Sequence, residues 1–120
     1  MKEINIDGTI YVPKDEATSM QFAECEGLDY CVIRTYSAGV HAGYVAKREG
    51  KEVLLYNSRR LWRWAGAFTL SEVAVNGVRK PEECKFATTL PEIILTEAIE
   101  IIKCTEKARK SIEEVEDYEP

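Results

Sequence analysis

Three apolar runs separated by short turns constrain the fold of this chain more than any other feature of its sequence. β-Branched and aromatic side chains are concentrated in residues 30–36, 41–45 and 52–56, a composition typical of β-strands. The turns between these runs are Ser37–Gly39 and Arg48–Lys51, and each contains a glycine that can adopt positive φ. Strands joined by such short turns run antiparallel. The sequence therefore predicts an antiparallel β-meander.

Two helices are predicted after the meander. Thr69-Leu-Ser-Glu72 has the spacing of a capping box and Asn76-Gly77 is a stop signal, so the first helix lies between them. Thr105 caps the second helix. Apolar residues at helical spacing define the two buried faces, which are Leu70, Val73 and Ala74 in the first helix and Ala108, Ile112 and Val115 in the second. Both helices are expected to pack on the sheet.

The segments between these elements are less regular. Residues 58–66 are expected to form either a short helical turn or an irregular crossing segment. Residues 85–89 are typical of a strand. Residues 92–104 suit either a buried helix or a long strand, but Pro91 and the β-branched composition favour a strand, at least over residues 99–103.

The two ends of the chain are predicted to be peripheral. Residues 1–20 are expected to form an N-terminal extension or a hairpin, in which INI and TIYV are short strands and Gly8 turns between them. Residues 116–120 form an acidic tail that is expected to be frayed. The predicted fold class is α+β, with an antiparallel β-sheet meander packed against about two α-helices in a single domain of residues 1–120.

Length and composition narrow the class of protein. A chain of 120 residues fits one domain, and 45% apolar with 31% charged residues argues against a disordered chain. No apolar run approaches the roughly 20 residues needed to span a bilayer. The N-terminus carries acids and does not resemble a signal peptide. We therefore expect a cytoplasmic protein that acts without a membrane.

The cysteines are expected to be small core residues. In a reducing compartment, scattered thiols are usually buried rather than paired. None of the four forms a CxxC pair, and a single histidine cannot complete a usual Cys/His zinc set. The four cysteines are Cys25, Cys31, Cys84 and Cys104. No metal or cofactor is predicted.

Charge is divided unevenly along the chain. Residues 30–80 hold nine Lys or Arg and three acids, a net charge of +6, whereas the remainder holds seven basic and eighteen acidic residues, a net charge of −11. A basic segment within an acidic protein indicates a local anion site. The alternative is that this segment pairs with acidic segments of the same chain or a neighbour. Proteins that coat long nucleic acid are usually basic throughout, so that partner is not expected.

The segment Tyr36–Tyr44 is one candidate anion site. It contains two glycines four residues apart, a serine hydroxyl, and the imidazole of His41. A glycine such as Gly39 lets a ligand approach backbone N–H groups, which can surround an anion. The alternative is a hairpin turn whose glycines serve only the backbone.

A second candidate combines three arginines with two tryptophans within six residues. Guanidinium groups bind phosphate bidentately and indole rings stack on bases, a combination that suits a nucleotide. The residues are Arg59, Arg60, Trp62, Arg63 and Trp64. The alternative places the tryptophans in a core or a subunit interface, with the arginines as surface charges.

The last helix is a third basic feature, with Lys107, Arg109 and Lys110. Cations in a first turn oppose the helix dipole, which suggests an external partner. The simpler interpretation is that Glu106–Lys110 and Arg109–Glu113 form ion pairs at i,i+4 spacing.

No catalytic set is recognisable in the sequence. The chain has one histidine and none of the GxSxG, HExxH, Walker A or paired Cys/His arrangements. We therefore predict that the protein is not an enzyme.

The segments RTYSAGV, RRLWRW and TEAIEII occur together within residues 28–113. In this combination the chain resembles a small family of accessory proteins found in phages, prophages and mobile elements. It is also similar to the phage Thoeris anti-defence sponges. Those proteins are not enzymes. They sequester the cyclic ADP-ribose signal made by bacterial TIR-domain immune proteins, and some hold cyclic oligonucleotides at a second site.

The resemblance has implications for both architecture and site. It implies an antiparallel sheet facing two helices, in a homo-oligomer (a dimer or larger) with pockets at subunit interfaces. It implies that Arg109 and Phe86 contact the adenine and phosphate groups of the ligand. It also implies a second anion site at Gly39 and the arginines near Arg59.

The function expected from the sequence is therefore sequestration. A phage-encoded anti-defence sponge would bind a cyclic nucleotide immune signal, a cyclic ADP-ribose isomer or a cyclic oligonucleotide, without cleaving it. The alternative is a phage protein–protein interaction module that acts on a host protein through the tryptophan segment. The missing metal or acid–base set counts against a third alternative, a phosphodiesterase.

Overall fold

A computed structural model of the protein describes residues 4–5, 10–11 and 21–119 and begins with a short hairpin. Its strands, β1 (Ile4–Asn5) and β2 (Ile10–Tyr11), pair antiparallel as a separate two-stranded sheet. This confirms the hairpin predicted from INI and TIYV. The predicted turn at Gly8 lies outside the described residues.

The predicted meander forms the centre of the main sheet. Its strands are β4 (Leu28–Thr35), β5 (Val40–Glu49) and β6 (Glu52–Arg63). A short strand that was not predicted, β3 (Glu24–Cys25), pairs with the start of β4. The two predicted turns each contain a glycine with positive φ, Gly39 at 87° and Gly50 at 61°. The antiparallel register, with Ile33 opposite His41 and His41 opposite Arg60, confirms the meander.

Strand β6 is longer than predicted. The expectation of a helical turn or an irregular segment over residues 58–66 is wrong for residues 58–63, which continue the strand. Asn57 has a φ of 51° where the β5–β6 pairing is irregular, so the strand absorbs an extra residue and continues. Beyond it, Arg59 and Leu61 are buried.

The second half of the chain supplies two helices and three strands. These elements are α1 (Leu70–Asn76), a 3₁₀ turn (Pro81–Glu83), β7 (Lys85–Phe86), β8 (Leu90–Leu95), β9 (Ala98–Lys103) and α2 (Glu106–Glu114). Thr69 and Thr105 cap the helices as predicted. The ambiguous stretch of residues 92–104 lies in two strands, which confirms the strand alternative, whereas the strand predicted over residues 85–89 has only two residues.

The main sheet curls because its two edge strands are consecutive in sequence. The strand order is β8-β6-β5-β4-β9, with β3 beside the start of β4 and β7 beside the end of β6. Only Thr96 and Glu97 separate β8 from β9, although these strands lie at opposite edges. The edges converge there, where the Ala98 N–H donates to the Lys51 carbonyl and the Tyr36 N–H to the Glu97 carbonyl.

Two separate apolar cores pack against the two faces of the sheet. The helix-side core comprises residues from β4, β6, β7 and both helices, including Tyr30, Val32, Leu61, Val73, Phe86, Ala108 and Ile112. The core inside the curl comprises Cys31, Ile33, Val53, Leu55 and Leu95. Residues 30–33 of β4 are therefore buried on both faces. The α+β class with a sheet packed against two helices is confirmed.

The peripheral predictions are corrected in two places. Of the four cysteines, Cys31, Cys84 and Cys104 are buried as expected, but Cys25 is exposed. The expectation of a frayed tail is wrong for Asp117 and Tyr118, because the Tyr118 N–H donates to the Phe86 carbonyl at 2.9 Å. No helix within the described ranges is long and apolar enough to cross a membrane.

Candidate functional site

The arginine–tryptophan segment divides between the interior and the surface, and Arg59 belongs to the interior. Its side chain is 3% exposed. The guanidinium group donates to the Ala87 carbonyl at 2.9 Å, to the Ile112 and Val115 carbonyls at 3.0 and 2.7 Å, and to Asp117 at 3.0 Å. Burial lowers the pKa of Arg59, and the Asp117 carboxylate partly offsets this effect. Arg59 thus joins β6 to α2 and to the tail.

Phe86 and Trp64 also lie inside the protein. Phe86 is 0% exposed, and the Arg59 guanidinium carbon lies 5.3 Å from the centre of its ring. This position leaves Phe86 no surface on which a purine could stack within the chain. Trp64 is half-buried against the helix-side core, as in the structural alternative considered for the tryptophans.

Arg109 is held by carboxylates of its own helix. It forms ion pairs with Glu106 and Glu113 on α2, so the i,i+4 pair predicted with Glu113 is present. The hydrogen bond to Glu106 raises the pKa of Arg109, and burial opposes that rise. A ligand at Arg109 would therefore have to compete with two carboxylates.

An exposed group of aromatic and basic side chains lies where β6 meets β7. We call Trp62, Arg63, Lys85 and Tyr118 the Trp62 surface. Trp62 is 58% exposed, and its ring meets the Tyr118 ring edge-on, with centroids 6.4 Å apart. The Lys85 ammonium lies 5.0 Å from the centre of the Tyr118 ring, within cation–π range. Arg63 lies directly opposite Lys85 in the β6–β7 register.

Local strand geometry creates this exposure. The β6–β7 register shifts between Leu61 and Arg63, so Trp62 is an extra residue relative to β7. A bulge of this kind re-aims a side chain. Successive strand residues also point to opposite faces, so Leu61 lies in the helix-side core while Trp62 faces outward.

A groove of about 330 Å³ runs beside the Trp62 surface. It is lined by Arg63, Glu82, Glu83, Cys84, Lys85 and Tyr118. Its volume is at the small end of the range for small-molecule sites. The two cations can pair with a phosphate, and the two carboxylates can accept hydrogen bonds from amino or hydroxyl groups.

A second groove of about 460 Å³ shares Glu82, Cys84 and Tyr118 with the first. Its further lining comes from Pro81 and from the end of α2 with the tail, namely Glu114, Glu116, Asp117 and Glu119. Five carboxylates face this space, so it would repel an anionic ligand. The second groove is therefore acidic, whereas the first is lined by two cations and two carboxylates.

The glycine-containing segment forms a well-bonded turn. The Thr35 hydroxyl donates to the Gly39 carbonyl at 2.7 Å and accepts from the Ala38 N–H at 2.8 Å. His41 is buried, with Nε2 3.0 Å from the Ala38 carbonyl oxygen. Burial lowers the pKa of His41 from its ordinary value of 6.5, and the nearby Arg60 lowers it further. Gly39 allows the tight turn between β4 and β5 through its positive φ, as in the hairpin alternative.

Two members of the Trp62 surface were not predicted from the sequence. Lys85 was assigned only to a strand, and Tyr118 to a frayed tail. The usable signal was an aromatic residue within an otherwise acidic segment, because aromatic side chains bury large apolar areas in cores and interfaces. Between residues 21 and 119 and in the described parts of the hairpin, no group of three His, Cys, Asp or Glu side chains could hold a metal ion.

Comparison with known families gives a match over most of the chain. A family described as a domain of unknown function (DUF6948) matches residues 28–112, more than half of the chain. No curated protein and no solved structure matches the chain. The matched range includes β4 to β9 and most of α2, but not Tyr118.

Proposed function

We propose a function for this chain, which belongs to the DUF6948 family of domains of unknown function, from the chemistry of its Trp62 surface. The proposed function is the binding and sequestration of a nucleotide without cleavage. Cyclic nucleotide immune signals, cyclic ADP-ribose isomers first, are the proposed ligands, and an infected host cell is the proposed setting. The resemblance to anti-defence sponges supports this choice of ligand.

The proposal rests on one observation: the exposed indole ring of Trp62 lies beside the cationic side chains of Arg63 and Lys85 and a groove. Stacking of a base on an aromatic side chain contributes about 1–3 kcal/mol and tolerates any base. Trp62 offers such a ring, and its edge contact with Tyr118 limits its movement. Arg63 and Lys85 are cross-strand neighbours, so a phosphate bound between them would lie close to a base on Trp62.

Tight sequestration requires more enclosure than one open groove provides. A nanomolar complex corresponds to about −12 kcal/mol, and sites of that affinity bury most of their ligand. We propose that a second copy of the chain covers the Trp62 surface and completes the site. The homo-oligomer suggested by the resemblance supports this arrangement.

The proposal is tested by thermal shift with a panel of cyclic ADP-ribose isomers and cyclic di- and trinucleotides. We expect at least one to raise the melting temperature of the full chain, with an affinity that falls at least about tenfold in Trp62→Ala. Phe68→Ala is the matched control, since Phe68 is 93% exposed and outside the site. If none of these ligands shifts the melting temperature, the proposal is contradicted.

Sequestration and turnover are distinguished by the fate of the bound ligand. After incubation and heat denaturation, a sponge returns the ligand intact. Chromatographic detection of a cleaved product, in amounts that exceed the protein, would instead identify a phosphodiesterase.

A second candidate function is supported by Phe68 itself. Phe68, which is 93% exposed in the loop between β6 and α1, offers a partner protein a large aromatic side chain, a type enriched in the cores of protein interfaces. A protein–protein interaction module acting on a host protein predicts that Phe68→Ala abolishes capture of that protein while leaving any nucleotide response unchanged.

A further inference from the structure

Strand β9 is an edge of the main sheet with an unused row of backbone groups. Among the described strands it pairs only with β4. At the end of β9, the Cys104 N–H donates to the Tyr30 carbonyl at 2.9 Å. Hydrogen-bonded and non-hydrogen-bonded pairs alternate along an antiparallel ladder, so Ile102 also bonds to β4, whereas the N–H and carbonyl groups of Ile101 and Lys103 face away from it.

The sequence of β9 does little to protect this edge. Edge strands in natural proteins are usually protected by proline or by charged side chains. The opposite edge strand, β8, carries Pro91 and Glu92. The two charges of β9, Glu100 and Lys103, are instead ion-paired with side chains of β4, and its other residues are apolar. The edge of β9 is therefore suited to pair with a further strand.

A groove of about 270 Å³ lies along the first half of this edge. It is lined by residues 98–101 and by Arg48, near the end of β5. The curl of the sheet brings these segments together, since the Ala98 N–H donates to the Lys51 carbonyl at 3.0 Å. The open edge thus borders a space that has an arginine on its other side.

The side chains around the groove favour an extended segment with both apolar and acidic residues. Ile101 of β9 and Ile93 of β8 are only partly buried where they pack against the core inside the curl. An apolar side chain directly opposite Ile101 would lie on the same face and cover that core further. Arg48 is exposed and belongs to none of the ion pairs formed by described residues, so a carboxylate beside it would gain a partner.

We propose that the edge of β9 binds an extended segment of a partner protein as an added antiparallel strand. Backbone hydrogen bonds to Ile101 and Lys103 supply affinity, and apolar side chains at alternate positions of the segment pack beside Ile101. In this orientation the C-terminal end of the segment lies beside Ala98, where a carboxylate meets Arg48. The edge includes neither the Trp62 surface nor Phe68, so the inference does not rest on the proposed function.

The first test is amide hydrogen exchange of the full chain, followed by NMR. In the free protein, the Ile101 and Lys103 amides should exchange quickly and the Ile102 amide slowly. The probe is a capped synthetic peptide, Thr-Val-Thr-Val-Thr-Val-Glu, with alternating valines and a C-terminal acid. It should slow exchange at Ile101, with a Kd below about 1 mM. Unchanged exchange at that peptide concentration would overturn the proposal.

A second peptide separates strand addition from contact through side chains alone. N-methylation of the valines keeps every side chain and the charge, but it removes the N–H groups that would face β9. The affinity should fall at least about tenfold, because several backbone hydrogen bonds are lost. Equal affinities of the two peptides would contradict the proposal.

The contribution of Arg48 is tested by exchanging charges. Arg48→Glu should weaken binding of the acidic peptide at least about threefold and strengthen binding of a peptide with lysine in place of the glutamate. Lys107→Glu is the matched control, an exposed change on α2 that should leave both affinities unaltered. Loss of folding cannot mimic a reversal of preference. The same peptide preference in both variants would count against the site.

A second copy of the chain is the alternative occupant of this edge. If two β9 strands pair with each other, the Ile101 amide is protected without any peptide, and dilution removes this protection. That result would replace the proposal with self-association. Rapid exchange at Ile101 at every protein concentration, followed by protection on addition of the peptide, supports a partner segment.

Discussion

At the scale of single residues, Arg59 connects parts of the chain that are far apart in sequence. Its guanidinium group donates to the carbonyl of Ala87, after β7, and to the carbonyls of Ile112 and Val115 at the end of α2. Its planar set of donors suits this task, whereas an ammonium group has a different geometry. The aromatic face of Phe86 completes its surroundings.

Replacing Arg59 should therefore destabilise the fold. We expect Arg59→Met to lower the free energy of unfolding by about 3 kcal/mol, because three carbonyls at buried or partly buried positions each lose a hydrogen bond from the guanidinium group, at about 1 kcal/mol each. Asp117 is half-exposed, so the loss of its ion pair with Arg59 adds little to this destabilisation. Urea denaturation measures the change.

The matched controls for this prediction are Arg63→Met and Arg59→Lys. Arg63 is exposed, so its variant should remain within about 0.5 kcal/mol of the parent. Arg59→Lys should recover only part of the loss. Equal stabilities of Arg59→Met and Arg63→Met would show that the buried hydrogen bonds contribute nothing.

At the scale of elements, the two helix caps look alike in sequence but differ in structure. Thr69 accepts from the Glu72 N–H at an exposed position. Thr105 accepts from the Ala108 N–H and also donates to the Val75 carbonyl of α1 at 2.6 Å. Thr105 is buried, so it caps α2 and ties the two helices together.

The caps should therefore differ in their effect on stability. We expect Thr69→Ala to lower the free energy of unfolding by about 1 kcal/mol, as for an ordinary cap. Thr105→Ala should lower it by about 2–3 kcal/mol, because it also removes the donor of the partly buried Val75 carbonyl. Denaturant unfolding of both variants checks the order, and a larger effect at Thr69 would contradict it.

The elements predicted correctly are those with a local signal. The capping residues, the turn at Gly39 and the alternation in β4 and β5 depend on neighbours along the chain. The continuation of β6 has no such signal, since the positive φ of Asn57 shifts the alternation. The contacts of Arg59 with backbone carbonyls, and of Tyr118 with Trp62, join distant segments and leave no periodic pattern. For this reason the basic segment predicts an anion site, but the sequence does not show which of its arginines are buried and which are exposed.

At the scale of the whole molecule, strand β4 couples two cores. Its alternate residues enter the helix-side core and the core inside the curl, with Tyr30 and Val32 on one face and Cys31 and Ile33 on the other. Neither core can lose its packing without exposing one face of this strand. The protein should therefore unfold as one cooperative unit.

This coupling is tested by truncating one buried residue in each core. Leu55→Ala and Ile112→Ala should each lower the free energy of unfolding by about 3 kcal/mol. In both variants, tryptophan fluorescence and far-UV circular dichroism should give coincident unfolding transitions. Separate transitions in either variant would show that the cores unfold independently.

The order of the strands also bears on how the protein is made. Both edge strands, β8 and β9, follow the meander in sequence, so a ribosome releases β4, β5 and β6 before either edge can be covered. Until then the nascent chain carries two open β-edges that can pair with other chains. The consecutive strands β8 and β9 then cover the two edges, on β6 and on β4. The yield of correctly folded protein should thus depend on how quickly translation passes residue 103, and on whether a chaperone holds the meander until then.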